Sequence, residues 1–410
     1  MRSLLIGLLM ISSLFAKNVL QEVIDKAKEG SKIELPKGVF TGNIVIDKPL
    51  MIVGQGKDTV IKGEGKGTVV KIRSSNVILK NLSIINSGKE HEKVDAGVSV
   101  KDAKFCEISN CVIKNCLFGI DLQNVHNSKI IGNFISSKPF PLGIRGDGVR
   151  LWYSNDNILK KNHLYKSRDF VIWYSHGNLI EENIGEYGRY SLHFMYAGKN
   201  IVKNNIYKHN SVGIFFMYSR DTIAENNTVM SSLGTTGIGI GLKDASNFTI
   251  KNNTILYCAK GMYIDRSPFQ PDEKNFIEGN KILYNSIGMH FHSLSVNNEI
   301  THNVFKGNIE NVFDDSGQGR IHAVQNHWSE NYWDDYEGFD KNGDGIGDIP
   351  YELKYYADKI WLLNPNVKFF YGSPVISILN FLAKLAPFSE PVLLLRDKKP
   401  LMRVKGEINE

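Results

Sequence analysis

Histidine and methionine residues recur at matching positions of several short hydrophobic segments. His193 and Met195 are two residues apart, Met217 ends a similar segment, and His290 and His292 form a further pair with the same spacing. Thioether and imidazole ligands together suit a soft copper ion, Cu(I), better than Zn²⁺ or Mg²⁺. We predict these five residues as copper ligands, with His290 and His292 supported by their spacing alone. In the alternative interpretation, the methionines pack under a loop and His193 is a polar residue at its rim.

Aromatic residues occupy positions of the same segments where a strand facing water normally carries polar ones. An exposed apolar stripe usually marks an interaction surface. A tyrosine directly follows each tryptophan or methionine of the series. We therefore predict an interaction face with these members in addition to the methionines: Trp152, Tyr153, Trp173, Tyr174, Tyr196, Phe215 and Tyr218.

A sequence repeat must position these residues. Asparagine followed by apolar residues recurs from Asn110 to Asn303 in steps of 23, 29, 21, 22, 22, 26, 27 and 23 residues. A period near 22 residues with occasional insertions is typical of a solenoid. The units contain short alternating segments and turn residues, without helical periodicity or a leucine-rich framework. We predict an all-β fold, a right-handed parallel β-helix with a rise of about 5 Å per turn, in which stacked asparagines hydrogen-bond along the turns.

Alternation within each strand then assigns side chains to two faces. One set is apolar and predicted to point inward: Ile120/Leu122, Val149/Leu151, Ile214/Phe216, Ile238/Ile240, Met262/Ile264 and Met289/Phe291. In the outward set, Met195 and Met217 are expected about 5 Å apart on neighbouring turns, with His193 about 7 Å from Met195. The pair Gly239/Gly241 is expected to leave a notch before His290 and His292.

The chain is divided into four predicted segments. Residues 1–16 have a positive charge followed by an apolar run, as in a secretory signal peptide, which predicts export. Residues 17–325 form the β-helix, 326–365 an acidic and aromatic cap region, and 366–410 an apolar docking tail. Hydrophobic residues make up 42% of the chain, which excludes wholesale disorder. A net charge of +6 over 410 residues is too weak to argue for nucleic acid as a partner.

The acidic segment after the repeats resembles the first half of a calcium loop. Asp340, Asn342, Asp344 and Asp348 supply oxygen atoms at the required spacing, and Gly345 follows Asp344. Tyr351 stands where an EF-hand has glutamate, so the segment is not an EF-hand. A compact Ca²⁺ loop and a turn whose aspartates bond their own backbone are equally compatible with this pattern.

Two further features concern packing. Cys106, Cys111, Cys116 and Cys258 lack zinc-site spacing and are predicted as small core residues, with a disulfide among the first three as the alternative. The tail contains an amphipathic pattern over Ser377–Ala386 that predicts one helix. One interpretation is that this tail caps the open end of the solenoid. Its length and apolar character favour docking onto a membrane protein over capping alone.

Three sequence strings carry a specific resemblance. The segments Arg150–Ser154 (RLWYS), Val171–Ser175 (VIWYS) and His193–Tyr196 (HFMY) resemble the NosD family, periplasmic copper-binding maturation proteins of nitrous oxide reductase. The resemblance implies a β-helix without catalysis of its own that works with an ABC transporter permease and ATPase. It also implies copper received from a membrane-anchored chaperone and assembly of the reductase's copper–sulfur centre. Carried over by position, its ligands are His193, Met195 and, on the next turn, Met217.

Other β-helix proteins supply the alternatives. Polysaccharide lyases, hydrolases and epimerases need acids that converge on one outward strip of adjacent turns. Here Asp121 and Asp265 are far apart along that strip, and Asp147 lies between two glycines as in a turn. A carbohydrate-binding protein that stacks sugar rings on the aromatic stripe, and a scaffold that presents the stripe to a partner, remain as further classes.

Overall fold

The structure, a computed structural model, describes residues 18–316, 321–355, 370, 373–385 and 391–404. The predicted signal peptide, residues 1–16, therefore lies outside the described residues. Three parallel sheets with 13, 13 and 12 strands wind around a common axis, each turn adding one strand to each sheet. The predicted right-handed parallel β-helix is confirmed.

The strands are short, and each pairs with the equivalent strand of the next turn. The first sheet contains Lys32–Glu34, Met51–Val53, Ile78–Lys80, Glu107–Ser109, Lys129–Ile131, Ile158–Lys160, Leu179–Glu181, Ile201–Lys203, Ile223–Glu225, Thr249–Lys251, Asn275–Glu278, Asn298–Thr301 and His327–Ser329. The second contains Gly38–Thr41, Thr59–Lys62, Ser83–Ile85, Val112–Cys116, Phe134–Ser137, His163–Tyr165, Ile184–Glu186, Ile206–Lys208, Thr228–Met230, Thr254–Leu256, Lys281–Leu283, Val304–Lys306 and Tyr332–Trp333. The third contains Ile44–Ile46, Val70–Ile72, Ala96–Lys104, Phe118–His126, Val149–Trp152, Asp169–Trp173, Tyr190–Met195, Val212–Met217, Ile238–Lys243, Lys260–Asp265, Ile287–His292 and Glu310–Asp314.

Few elements lie outside these sheets. Among the residues that the structure describes, the α-helices are Val19–Lys26 and Pro374–Leu385, and short 3₁₀ turns cover Leu142–Ile144 and Ala323–Gln325. Tyr351–Tyr355 and Val392–Asp397 form an antiparallel pair.

The core fills the inside of the coil. Residues predicted to point inward, such as Ile120, Leu122 and Ile214, are fully buried. The four cysteines are free and buried, as predicted, so the alternative of a disulfide does not hold. Burial raises the pKa of the Cys111 thiol to about 12, which keeps it protonated and unreactive.

Asparagine side chains form a continuous hydrogen-bonded ladder through the middle and end of the coil. Each Nδ2 donates to the Oδ1 of the next asparagine at 2.9–3.0 Å, and to a backbone carbonyl of the turn before. The members are Asn133, Asn162, Asn183, Asn205, Asn227, Asn253, Asn280, Asn303 and Asn331. This confirms the predicted stacking, which satisfies the amide groups at a tight corner that water does not reach.

Both ends of the coil are covered. At the first turn, the helix Val19–Lys26 begins at Asn18, whose side chain accepts a hydrogen bond from the Gln21 amide, and it buries Leu20 and Ile24. At the last turn, Asp397 Oδ2 accepts hydrogen bonds from the Asn331 Nδ2 and backbone amide and ends the ladder. Such caps protect the open edges of a solenoid.

The C-terminal region divides into a buried part and an exposed part. Leu394 and Leu395 are fully buried, so the strand Val392–Asp397 belongs to the cap. The helix Pro374–Leu385 agrees with the predicted one, and its described apolar side chains are exposed: Val375, Ile378, Leu379, Phe381, Leu382 and Leu385. In the described part of the chain, every helix is too short or too polar to cross a lipid bilayer.

Candidate functional site

The outer face of the third sheet carries two columns of side chains in register. The first column runs Arg150, Val171, His193, Phe215, Gly241, Tyr263, His290 and Phe313. The second runs Trp152, Trp173, Met195, Met217, Lys243, Asp265 and His292. Parallel pairing without an offset places these side chains one above another about 4.8 Å apart. The structure thus brings His193, Met195 and Met217 together, as the sequence predicted.

The turn after Met217 departs from the predicted register. Ile240 and Leu242, not Ile238 and Ile240, align with Ile214 and Phe216, so the predicted inward assignment of Ile238 is wrong. Ile238 packs outside, while Gly241 lies opposite Phe215 and Lys243 opposite Met217. The segment between Met230 and Ile238 is longer than in neighbouring turns and shifts the strand by two residues. The predicted Gly239/Gly241 notch is therefore absent.

Phe215 is not part of the exposed face. Only 6% of its surface is accessible, and its ring lies over Gly241, where an added Cβ would be 2.4 Å from Phe215 Cε2. The rings of Tyr190 and Tyr263 flank it with centroids 6.0 and 6.2 Å away. The prediction that Phe215 belongs to the interaction face is wrong because the glycine leaves room for the ring to fold down onto the sheet.

His193 and Met217 make the central contact of the site. His193 Nε2 lies 3.2 Å from Met217 Sδ, on the adjacent turn. His193 is 5% exposed, and its Nδ1 is buried without a hydrogen-bond partner. Met195 pairs with Met217 on the adjacent turn of the second column, and its side chain is half-buried. The His193 imidazole and the Met217 thioether thus meet at the edge of the exposed face, and Met195 lies on the turn next to Met217.

The surroundings of His193 keep its ring neutral and fixed. Burial lowers the pKa of His193 to about 4, although Asp169 opposes this shift. The Tyr190 ring stacks on the imidazole at 4.6 Å, and Trp173 approaches edge-on at 5.7 Å. A neutral imidazole keeps a lone pair free for a metal ion at neutral pH.

Tyr190 was missed by the sequence reasoning. It is three residues before His193, an odd spacing that places two side chains on opposite faces of a regular strand. The pairing with the preceding strand shifts between Asp169 and Val171, a β-bulge that turns Tyr190 onto the face of His193. No alternating pattern in the sequence signals such an extra residue.

The four predicted tyrosines form a stacked ladder beside the second column. The rings of Tyr153, Tyr174, Tyr196 and Tyr218 are 5.0, 5.1 and 5.0 Å apart and within 15° of parallel. All four have a backbone φ near +50°, which turns the chain at the end of the strand. Trp152 and Trp173 lie alongside with their centroids 5.8 Å apart. The exposed surface is therefore a rigid aromatic wall next to the His193–Met217 contact.

His290 and His292 belong to a different cluster. Lys243 and Asp265 separate Met217 from His292 in the second column. The five predicted copper ligands therefore fall into two groups, whose nearest members are three turn spacings, about 14 Å, apart. Asp315, which the sequence reasoning missed, joins the histidines instead, 3.0 Å from His290 Nε2 and 2.8 Å from His292 Nδ1. It follows the next strand, so extending the outward column by one turn would have indicated it.

The acids on the outer face are engaged in ion pairs. Asp121 pairs with Arg150 at 3.2 Å and Asp265 with Lys243 at 3.1 Å. Asp147, predicted as a turn residue, is buried and accepts a hydrogen bond from Arg168. Burial and the nearby Asp169 carboxylate raise the pKa of Asp147 to about 7.

The acidic loop is folded around its own backbone. Asp340 accepts hydrogen bonds from the amides of Gly343 and Gly345, and Asp348 accepts one from Lys341. Asn342 and Asp344 each accept one from the residue two positions ahead. These are the bonds of the alternative turn interpretation, and calcium at these four residues stays a prediction.

Comparison with known proteins relates the chain to a β-helix family and to two curated proteins. A family model described as periplasmic copper-binding protein (NosD) matches residues 135–338, and one for a right-handed β-helix region matches residues 67–184. A probable ABC transporter binding protein NosD of Stutzerimonas stutzeri is 29% identical over 403 residues, covering 91% of this chain and 87% of its own. Its counterpart in Pseudomonas aeruginosa is 33% identical over 149 residues, covering 35% and 32%.

Solved structures share the architecture at low identity. The A-module of mannuronan C-5 epimerase AlgE6 from Azotobacter vinelandii has a TM-score of 0.56 and 14% identity, with 73% of this chain and 93% of the other covered. The catalytic domain of a GH87 alpha-1,3-glucanase has a TM-score of 0.59 and 15% identity, with 72% and 64% covered. These structures support the fold alone.

The fold defines a protein of the right-handed β-helix class. Within that class, the chain is a NosD-type protein. That family is periplasmic, and its curated relatives are named for binding to an ABC transporter.

Proposed function

We propose that this protein binds Cu(I) at the outer face of the third sheet, with His193, Met195 and Met217 as ligands. The observation that carries the proposal is the 3.2 Å approach of His193 Nε2 to Met217 Sδ. A neutral imidazole and thioethers are the donors that monovalent copper selects. The ion would replace the direct contact, with the two donor atoms moving apart to admit it.

The surroundings favour a site that releases its ion to another protein. Met195 and Met217 are half-buried, so the metal would lie at the surface and not in the core. Three side chains on one face leave a coordination position open toward the outside. A donor or acceptor protein can supply the missing ligand there, as transfer of Cu(I) by ligand exchange requires.

We further propose that the protein is a copper-handling accessory factor without catalysis of its own. It would be exported by residues 1–16, receive copper from a membrane-anchored chaperone, and work with an ABC transporter permease and ATPase. Its product would be the assembled copper–sulfur centre of nitrous oxide reductase. The names of the curated relatives support a transporter partner.

The C-terminal helix supports a partner in the membrane. Six of its apolar side chains are between 39% and 67% exposed, which is a large apolar surface for a helix of 12 residues. Contiguous exposed apolar surface of this kind marks a binding site. We propose that this helix docks onto the transporter permease, and that the aromatic wall of tryptophans and tyrosines contacts the copper donor or acceptor.

Copper content of the reductase tests the proposed function. In a host that depends on this protein, the variant Met195→Leu/Met217→Leu is expected to yield nitrous oxide reductase with a clearly reduced copper content. Met230→Leu is a matched control, because Met230 is also half-buried but lies on the second sheet. Reductase with full copper content in the double variant would overturn the proposal.

A further inference from the structure

Two histidines and an aspartate meet on the outer face near the last turns of the third sheet. His290 and His292 extend from one strand on either side of the inward-pointing Phe291, and Asp315 follows the strand of the next turn. The three candidate ligand atoms lie within 4.8 Å of one another. Among the described residues, no other group of three histidine, cysteine, aspartate or glutamate side chains meets that distance. We propose that His290, His292 and Asp315 form a second metal site, which binds a divalent transition-metal ion.

His290 is buried with ring nitrogens that lack hydrogen-bond partners. His290 is 5% exposed, and neither of its ring nitrogens has a well-aligned hydrogen bond. Its Nε2 is 3.0 Å from Asp315 Oδ1, a short approach without the direction of a hydrogen bond. Burying an imidazole with unpaired nitrogens costs free energy, and an ion held between the imidazole and the carboxylate would remove that cost.

Aromatic neighbours hold the ligands in place. The ring of Tyr263 meets His290 edge-on at 5.3 Å and stacks on His292 at 5.8 Å. Phe313 closes the other side of His290 at 5.1 Å. This packing fixes both imidazole planes before metal binds, so little conformational entropy is lost on binding. The side chains of His292 and Asp315 are 43% and 38% exposed, which gives an ion and a completing water molecule access from outside.

The donor set determines the kind of ion. Two imidazoles and one carboxylate suit borderline divalent ions such as Zn²⁺, Co²⁺ or Cu²⁺, and three protein ligands leave at least one open position. The absence of a thioether among these three residues makes Cu(I) a poor match. Hard ions such as Ca²⁺ and Mg²⁺ prefer all-oxygen sites and are disfavoured by the histidines.

The second site is independent of the proposed Cu(I) site. Lys243 and Asp265, themselves an ion pair at 3.1 Å, occupy the two turns between Met217 and His292. A separation of about 14 Å is far beyond the reach of a single ion. The inference therefore goes beyond the proposed function and does not depend on it, since each site can exist without the other.

Titration with Co²⁺ and Zn²⁺ tests this site on the tag-free mature protein. We expect one equivalent of Co²⁺ to bind with visible ligand-field absorption, and Zn²⁺ to displace it. The variants His292→Gln and Asp315→Asn change partly exposed side chains, so the fold is retained, and they are expected to weaken Zn²⁺ binding at least tenfold. His163→Gln is a matched control, because His163 also pairs with an acid, Glu186 at 2.8 Å, on another sheet.

The outcomes separate the two sites. Met195→Leu/Met217→Leu is expected to leave the Zn²⁺ affinity unchanged. Wild-type protein without bound Co²⁺ or Zn²⁺ at micromolar concentrations would overturn the inference, and so would equal binding by His292→Gln. Loss of Zn²⁺ binding in the methionine variant would also overturn it, because the two clusters would then act as one site.

Discussion

The Nε2 atom of His193 lies 3.2 Å from the Sδ atom of Met217, one turn further along the solenoid. The parallel register of the third sheet creates this contact, because it pairs His193 with Phe215, two residues before Met217. The side chains then lean toward each other across neighbouring column positions. Such a contact depends on the register between the strands Tyr190–Met195 and Val212–Met217, so a slip of that register by two residues would remove it.

Asp397 is predicted to stabilise the last turn of the coil. It is fully buried, and its Oδ2 accepts hydrogen bonds from the Asn331 amide and side chain and from Trp333 Nε1. We expect Asp397→Ala to lower the free energy of unfolding by about 3 kcal/mol, because three buried donors lose their charged acceptor. Urea denaturation followed by tryptophan fluorescence measures this loss. Asp397→Asn keeps one acceptor oxygen and should lose clearly less; an equal loss in both variants would contradict the assigned role.

The tyrosine ladder should contribute to stability without contributing to metal binding. Tyr174 stacks on Tyr153 on one side and Tyr196 on the other. Since a stacked pair contributes about 0.5–1.5 kcal/mol, we expect Tyr174→Ala to cost about 1–3 kcal/mol and Tyr174→Phe almost nothing. Tyr153→Ala, at the end of the ladder, should cost less than Tyr174→Ala. Chemical denaturation of the three variants checks this order, and a larger loss at Tyr153 would show that stacking is not the cause.

Asp147 should make stability depend on pH. Burial and Asp169 raise the pKa of Asp147 from 3.8 to about 7 in the folded protein. The folded state therefore holds the proton more tightly than the unfolded chain, and the resulting stabilisation is full below about pH 4 and lost as the pH rises through about 7. The variant Asp147→Asn still accepts the Arg168 hydrogen bond but does not titrate. We therefore expect it not to lose this stabilisation as the pH rises.

The comparison of denaturation midpoints at about pH 5 and pH 8 checks this effect. Asp147→Asn should gain stability relative to wild type as the pH rises, by at most about 1.4 kcal/mol for each pH unit between the two pKa values. Asp156→Asn is the matched control at an exposed aspartate. Parallel profiles of wild type and Asp147→Asn would contradict a raised pKa.

The regular part of the fold was predictable because every turn repeats the same local rules. Alternation placed Ile120 and Leu122 inside, and the asparagine spacing predicted the ladder that begins at Asn133. The register was also predictable between Met195 and Met217, where the turns have equal length. The predicted register was wrong at Gly241, because the loop before that strand is longer. The sequence does not show which residues belong to the loop and which to the strand.

Residues brought together from outside the repeat could not be predicted. Asp397 meets Asn331 across 66 residues of sequence, and no local pattern links them. Tyr190 faces His193 only because of a β-bulge. In each case the three-dimensional path of an irregular segment, and not its composition, determines the contact.

Anaerobic competition for Cu(I) tests the central claim most directly. Wild-type protein, Met195→Leu/Met217→Leu and the control Met230→Leu are each titrated against a colorimetric Cu(I) chelator. The leucine variants conserve side-chain volume, so the fold is expected to remain. We predict that wild type and Met230→Leu withdraw one equivalent of Cu(I) with the same affinity, and that the double variant binds at least tenfold more weakly. Equal Cu(I) affinity of the double variant and wild type, or no withdrawal of copper by wild type, would contradict the claim that the His193–Met217 contact marks the copper site.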